Sequence, residues 1–298
     1  MTNRPTRRQF LRTTSSGLVG MSIVPLALPF AGCEDSLVEP IAFGRALPFL
    51  TPLDEFYVKV GAEVSIANWQ QPDIAAADWG LTIDGLVDQP LTVRYADLEA
   101  EAAAGNAVTI LKTMRCVIDS NEIGGLIGTA LWTGIPLNVF TNRAGVNPST
   151  ARFRVFGTDG FTNNFVASRI DNVPAEQLVG PLLVTHMNGE LLPAEHGGPV
   201  RLLLNESFGY KNIKWIARVE ATDSNTPFGT YQDAGFVDDG ILRVVSRMTD
   251  PITNTILPAG RLRASGFAVS GYAAITEIEI SVDEGSWMPV TVVPFDEM

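Results

Sequence analysis

The residue best suited to carry chemistry is Cys116, in the stretch TMRCVIDSNEIGG, because the 298 residues contain only two cysteines. Cys116 ends a β-rich run and begins a loop, and loops at the ends of strands often carry functional sites. A thiolate in such a position can bind a soft or high-valent metal. The alternative is that Cys116 is a small buried hydrophobic residue.

Few other side chains are candidates for chemistry, and this excludes several classes of site. The two histidines, His186 and His196, are ten residues apart, and no CxxC or HExxH sequence occurs, so zinc and iron–sulfur sites are not expected. No GxGxxG follows a strand and opens a helix, so a dinucleotide site is not supported. GxSxG is also absent, and nothing besides the two histidines indicates a haem.

The N-terminus, residues 1–33, has the parts of an export signal. The twin arginines Arg7 and Arg8 precede an apolar run over residues 17–31, which is too short and too interrupted by proline to remain as a membrane anchor. This pattern is typical of the twin-arginine route, with an ordinary secretory signal as the alternative. That route exports folded proteins, so it favours a protein that receives a cofactor first and then works on the periplasmic or extracytoplasmic face.

The second cysteine, Cys33, ends this signal in a sequence that resembles a lipobox. We therefore expect lipidation of Cys33 and a lipid anchor, the alternative being cleavage by an ordinary signal peptidase. Lipidation would leave Cys116 without a disulfide partner. An unpaired thiol in an oxidising compartment is prone to unwanted oxidation or pairing, so its presence favours a functional role for Cys116.

The charge of the chain limits its partners. The formal net charge is −12, and without the four arginines of residues 1–32 the chain has 17 basic against 33 acidic residues, a net charge of −16. Such a surface repels nucleic acid and anionic membranes. A small anionic substrate would need a local basic pocket.

Pattern and turn signals predict an α+β chain. Residues 34–55 have no clear period and form a tether. Alternation predicts strands in WGLTIDG and LTVRY, a short helix from Tyr95 that ends near Gly105, and a loop and helix in TGIPLNVFTNRAG closed by Gly145. LLVTHMNGELLP predicts a hairpin around Asn188 and Gly189. Residues 56–235 form the first domain.

Residues 236–298 predict an all-β module, with strands in ILRVVSRM, RLRASGFAVSGY, ITEIEISVD and WMPVTVV. Four or five strands are fewer than the seven or so of a typical sandwich. We therefore expect either a truncated module or sheet edges that other parts must cover.

The order of several motifs resembles the sulfite oxidase family of molybdopterin-dependent oxidoreductases. In chain order these motifs are FYVK, WGLTIDGLVDQPLTVRYADL, CVIDSNEIGGLIGTALWTGIPL, GTDGF, MNGELLPAEHGGPVRLLL, GYKNIKW and EIEISVDEGSW. The resemblance covers residues 56–282. It implies a mixed α/β molybdopterin domain followed by an immunoglobulin-like β-sandwich, often used for dimerisation, so a homodimer is allowed.

The resemblance also implies roles for individual residues. Cys116 matches the only protein ligand of the molybdenum, and the cofactor would carry the redox chemistry. Tyr231 matches, weakly, an active-site tyrosine beside the substrate. The residues that match positions around the pterin or its phosphate are Tyr57, Lys59, Asp159, His196, Arg201, Asn212, Ile213 and Lys214.

Departures from the family pattern leave the substrate open. Sulfite-oxidising members carry arginines after the cysteine, whereas here no arginine follows until Arg143, and Asp119 and Glu122 are nearby. A sulfite dianion needs several cations close by. The CVxSNExGG form resembles a poorly defined bacterial branch of the family. Oxidation of a substrate and reduction of a sulfoxide are both consistent with this resemblance.

No haem domain or iron–sulfur motif is fused to the chain, so a separate electron partner is expected, a periplasmic cytochrome or a membrane haem subunit. A second hypothesis is a non-catalytic lipoprotein that uses the same fold as a binding or assembly module.

Overall fold

The computed structural model describes residues 20–26, 50–60, 69–120, 125–170, 180–251, 255–260 and 262–294. The chain divides into two compact units. The larger is Leu50–Leu242, and the smaller combines Met1–Phe49 with Arg243–Met298. Of the predicted signal, only Gly20–Leu26 is described, as strand β1, and Cys33 lies outside the described residues. The domain boundaries inferred from the sequence stay predictions.

The larger unit is built from strands with three short helices among its described residues. The helices are α1 (Tyr95–Ala103), α2 (Asn138–Ala144) and α3 (Thr230–Asp233). The strands are β2 (Gly80–Gly85), β3 (Leu91–Arg94), β4 (Val108–Arg115), β5 (Ile127–Pro136), β6 (Arg152–Gly157), β7 (Thr162–Val166), β8 (Leu182–Met187), β9 (Glu190–Leu191), β10 (Arg201–Leu203) and β11 (Ile216–Thr222).

These strands form two sheets. One has the order β3-β2-β11-β6-β7, in which only the pair β2 and β11 is parallel, and the other has the order β10-β8-β5-β4, with β9 paired to β8. Alternate residues of β2, Leu81 and Ile83, are fully buried, as expected for a strand with one face on a core. Leu183 and Leu202 from the second sheet belong to the same apolar cluster, so the sheets share one core.

Three local predictions are confirmed. Helix α1 begins at Tyr95, after the N-cap residue Arg94. The backbone N–H of Arg94 donates to the carboxylate of Asp97 at 2.7 Å, which stabilises the start of the helix. Helix α2 is closed by Gly145, whose φ of 68° is the left-handed conformation that glycine adopts most easily. The β8–β9 hairpin turns at Asn188 and Gly189, which both have positive φ.

Three segment predictions are wrong in extent. WMPVTVV was predicted as one strand, but it contains Met288–Pro289 and the start of Val293–Pro294, which belong to different sheets. The residues TGIP were assigned to a loop, but they complete β5, where they pair with β4 and β8. In ITEIEISVD only Glu279–Ile280 is a strand. Its partner is also two residues long, and Pro289 has no N–H with which to extend the ladder.

The smaller unit contains two further sheets. Its later strands are β12 (Val245–Asp250), β13 (Leu262–Val269), β14 (Glu279–Ile280), β15 (Met288–Pro289) and β16 (Val293–Pro294). They form a sheet of order β12-β13-β1-β16 and the pair β14-β15. The immunoglobulin-like topology stays a prediction. Across the described ranges, no helix is long and apolar enough to cross a membrane.

Two buried tryptophans test how much one hydrogen bond contributes to the core. Trp79 and Trp215 are both almost fully buried, but only Trp79 donates its indole N–H, to the carbonyl of Ile216 at 3.0 Å. The indole N–H of Trp215 has no partner among the described residues. We expect Trp79→Phe to lower the free energy of unfolding by about 1 kcal/mol more than Trp215→Phe in urea denaturation. Equal losses would contradict this assignment.

Candidate active site

A cleft in the larger unit brings together the residues singled out from the sequence. Its empty volume is about 610 Å³, including space open to solvent. The predicted site residues that line it are Tyr57, Lys59, Cys116, Asp159, His196, Arg201, Asn212, Lys214 and Tyr231. Ile213 differs, because its side chain is fully buried in the apolar core.

Cys116 follows β4 directly and is a free cysteine, 6% exposed. Its N–H donates to the carbonyl of Leu126 at 2.9 Å, and its carbonyl accepts from the N–H of Asp119 at 3.1 Å. Both backbone groups are therefore held within the loop that follows the strand. This fixes where the thiol lies on the wall of the cleft.

The loop after Cys116 is held by a partly buried ion pair between Arg115 and Asp119. The Nε of Arg115 donates to the Asp119 carboxylate at 2.9 Å, and the other carboxylate oxygen accepts from the N–H of Leu126 at 3.2 Å. Asp119 is 3% exposed and does not line the cleft. The sequence suggested that its charge would oppose an anionic substrate, but the structure uses that charge to hold the loop. Glu122 lies outside the described residues.

Arg201, in β10, is the buried cation of the cleft, 2% exposed. Its Nη1 donates to the carbonyl of His196 at 2.8 Å, its Nη2 is 3.7 Å from the sulfur of Met114, and its guanidinium lies over the ring of Trp132. Its Nε–H is buried without a partner among the described residues. Burial lowers the pKa of Arg201 to about 10, so it is charged at neutral pH. A buried charge with an open donor favours an acceptor in the cleft.

His196 contributes a neutral ring. Its Nε2 lies 3.3 Å from the carbonyl of Leu53, and the ring packs edge-on against Phe56 with centroids 5.5 Å apart. Burial, and then the positive charge of Arg201, lower the pKa of His196. Because a carbonyl can only accept, Nε2 carries the proton and Nδ1 is an acceptor.

Lys214 is brought to the cleft by a close approach to Gly197. A Cβ on Gly197 would lie 2.9 Å from the Cα of Lys214, and the φ of Gly197 is 103°, so this position requires glycine. The ammonium of Lys214 donates to the carbonyl of Glu195 and lies 5.4 Å from the ring of Trp215.

Asn212 uses its side chain to shape its own loop. The amide oxygen accepts from the N–H of Leu204 at 2.8 Å, and the amide nitrogen donates to the carbonyl of Phe208 at 2.7 Å. The predicted contact of Asn212, Ile213 and Lys214 with a phosphate stays a prediction.

Asp159 lies in the turn after β6 and is the acid of the cleft. Its carboxylate accepts from the N–H of Phe161 at 3.1 Å. Burial raises the pKa of Asp159. Gly157 makes room for it, because a Cβ there would meet both the Asp159 carboxylate and the carbonyl of Lys214.

Tyr57 and Lys59 reach the cleft from the segment before the first sheet. The ring of Tyr57 stacks on Phe56 with centroids 5.5 Å apart. A Cβ on Gly209 would lie 2.9 Å from the Tyr57 hydroxyl, so glycine admits this hydroxyl to the cleft. Burial, and then the charge of Cys116, raise the pKa of Tyr57, which keeps it protonated.

Tyr231, in α3, belongs to an aromatic cluster that the sequence did not reveal. Its ring is parallel to that of Tyr210 with centroids 5.0 Å apart, and it packs against Phe161 at 5.8 Å and Phe236 at 4.8 Å. Phe161 and Tyr210 also line the cleft. Burial, and then the charge of Cys116, raise the pKa of Tyr231, so its hydroxyl stays a neutral donor.

Two buried lysines hold the loop that carries Tyr210 and Asn212. Lys112, in β4, donates to the carbonyls of Asn205 and Ser207, and Lys211 donates to the carbonyl of Asp238. Burial lowers the pKa of each lysine to about 7. The sequence analysis missed both. Strand alternation could have found Lys112, because it lies on the same face of β4 as Met114, which lines the cleft.

The lining of the cleft is cationic although the chain is acidic. Lys59, Arg201 and Lys214 face one acid, Asp159, whereas the whole chain has a net charge of −12. The arrangement therefore suits a bound group with negative charge and several acceptors, held next to a free thiol.

Comparisons with known proteins agree with this chemistry. Residues 68–229 match the family described as oxidoreductase molybdopterin binding domain. The chain is 25% identical over 274 residues to mitochondrial sulfite oxidase of Drosophila melanogaster, covering 80% of this chain and 46% of that protein. It is 25% identical over 282 residues to nitrate reductase [NADH] 1 of Arabidopsis thaliana, covering 80% of this chain and 30% of that protein.

A solved structure shows the same fold. The sulfane dehydrogenase SoxCD from Paracoccus pantotrophus matches with a TM-score of 0.62 at 19% identity, covering 90% of this chain and 80% of that one. The chain spans about half the length of the sulfite oxidase and under a third of the nitrate reductase. The matched family covers more than half of the chain, from the first sheet to the start of α3. The chain therefore belongs to the family of molybdopterin-binding oxidoreductases that includes sulfite oxidase.

Proposed function

We propose that this protein is an extracytoplasmic molybdopterin-dependent oxidoreductase, with Cys116 as the protein ligand of the molybdenum. The observation that carries the proposal is the meeting of a free, buried thiol and a buried guanidinium with an open donor in one cationic cleft.

The residues present fit such a cofactor. A pterin with a phosphate offers acceptors and negative charge, and the open Nε–H of Arg201 is a buried donor that lacks such a partner among the described residues. Within the same ranges, no three His, Cys, Asp or Glu side chains are grouped to hold a metal ion. A single soft thiolate suits a metal whose other ligands come with the cofactor.

The cleft divides into groups with different tasks toward the cofactor. Cys116 would bind the metal, Arg201, His196 and Asp159 would contact the pterin, and Lys214 with neighbouring backbone amides would hold the phosphate. When bound, the molybdenum cofactor supplies two-electron redox chemistry coupled to the movement of an oxygen atom.

The protein itself would orient the thiol and donate a hydrogen bond to the substrate. The Arg115–Asp119 pair holds the loop of Cys116, so the thiol needs little reorganisation to bind a metal. Tyr231 lines the same cleft as Cys116 and its ring is stacked on that of Tyr210, so its neutral hydroxyl can donate a hydrogen bond to a substrate oxygen. Oxidation and sulfoxide reduction are both compatible with this donor.

Two features of the sequence support a location outside the cytoplasm. The twin-arginine pattern supports export after folding, and the lipobox-like sequence supports anchoring at Cys33. Electrons would pass to or from a separate partner, a periplasmic cytochrome or a membrane haem subunit.

Replacing the thiol tests the metal site directly. Protein matured in a cofactor-competent host should contain about one molybdenum per chain, and Cys116→Ser should contain almost none, because a hydroxyl is a poor ligand for a soft site. His186→Gln is the matched control, since His186 does not line the cleft, and it should keep its molybdenum. If the wild-type protein contained no molybdenum, the proposal of a molybdenum enzyme would be refuted, and the alternative of a binding or assembly module would remain.

Removing one hydroxyl tests the role of Tyr231. We expect Tyr231→Phe to lower kcat about 100-fold with unchanged molybdenum content, because a positioned donor to the reacting oxygen is lost. Activity would be measured with whichever of sulfite, nitrate or a sulfoxide the wild type turns over. Tyr272→Phe, at an exposed tyrosine of the smaller unit, is the control. An unchanged kcat in Tyr231→Phe would remove this residue from the catalytic site.

A further inference from the structure

The wall of the cleft beside Cys116 is aromatic. Phe161, Tyr210 and Tyr231 line it, and Tyr231 is stacked parallel to Tyr210 within 13°. Phe161 and Tyr210 are each 7% exposed, so both are fixed in the packing of the unit. Rigid ring faces of this kind favour flat apolar groups, which pack by offset stacking or edge-to-face contact.

This wall is next to the position of the proposed metal. Cys116 lines the same cleft as Phe161, Tyr210 and Tyr231. We therefore expect a substrate that reacts at the proposed metal to contact the rings of Tyr231 and its neighbours.

The cations near this wall already have other partners. Arg115 is paired with Asp119, Arg201 bonds to His196 and contacts Met114, and Lys214 donates to Glu195. Under the proposed function, Arg201 and Lys214 also serve the cofactor. Residues 117–120, the described part of the loop after Cys116, contain no lysine or arginine.

We infer that the substrate is an uncharged molecule with an aromatic or similarly flat apolar body, joined to the oxygen-accepting or oxygen-donating atom. The hydroxyl of Tyr231, a residue that lines the cleft, is a hydrogen-bond donor that suits a neutral acceptor such as the oxygen of a sulfoxide. A charged oxyanion would lose its hydration here, where the lining cations Lys59, Arg201 and Lys214 all match positions around the cofactor. Sulfite and nitrate, named for the relatives, are such anions.

The inference rests on the proposed function and is tested by binding rather than turnover. Calorimetric titration of the molybdenum-loaded protein would compare methyl phenyl sulfoxide with its para-carboxylate analogue, which adds a negatively charged group to the ring, and with dimethyl sulfoxide, which lacks the ring. We expect methyl phenyl sulfoxide to have a Kd at least about ten-fold lower than either. Equal or tighter binding of the carboxylate, no benefit from the ring, or no binding of methyl phenyl sulfoxide would each overturn the inference.

Variants identify the surface responsible. Phe161→Leu should lose about ten-fold in affinity for methyl phenyl sulfoxide, whereas Phe228→Leu, at a ring outside the cleft lining, should bind as wild type. Equal effects of the two variants would place the ligand elsewhere. Molybdenum content, measured on the same samples, separates the two failures, because loaded protein that does not bind this ligand refutes only the substrate class.

Discussion

A buried positive charge that lacks a full set of partners is the constraint on which the cleft depends. Transferring a guanidinium from water to an interior costs several kcal/mol unless its donors are satisfied, and Arg201 is 2% exposed with one donor open. The surroundings offset part of this cost through the carbonyl of His196 and the face of Trp132. The rest of the cost becomes binding energy for an acceptor, so the site is arranged in advance for its cofactor.

The position of the thiol likewise depends on contacts made before any cofactor binds. The Arg115–Asp119 pair makes the loop after β4 self-supporting, so Cys116 needs no contact with a second cysteine or histidine to stay in place. From the same strand, Lys112 donates to the carbonyls of Asn205 and Ser207, in the loop that carries Tyr210. One strand thus helps to position both the proposed metal ligand and part of the aromatic wall.

Much of this arrangement could be predicted from the sequence because local signals specify it. The helix at Tyr95, the αL glycine at Gly145 and the turn at Asn188 and Gly189 follow from capping and turn chemistry over a few residues. What the sequence could not show depends on contacts between distant segments. From the sequence, Asp119 was expected to repel anions. Its ion pair with Arg115 forms only when the loop folds back, so the sequence did not reveal it.

The aromatic wall shows the same limit more clearly. Phe161, Tyr210 and Tyr231 come from three separate segments, and none has a spacing that indicates a common site. By contrast, the residues proposed to surround the cofactor were named from several motifs taken together in chain order. The caps and turns of the scaffold are encoded locally, whereas the aromatic wall is assembled only by folding.

The acidity of the chain fits a substrate without charge. A net charge of −12 produces a field that lowers the local concentration of small anions, and the three lining cations of the cleft oppose that field only at short range. An enzyme for sulfite or nitrate would work against its own surface, whereas a neutral substrate would not be affected. The same surface would attract a cationic electron carrier, so one charge distribution is compatible with both the proposed electron partner and the proposed neutral substrate.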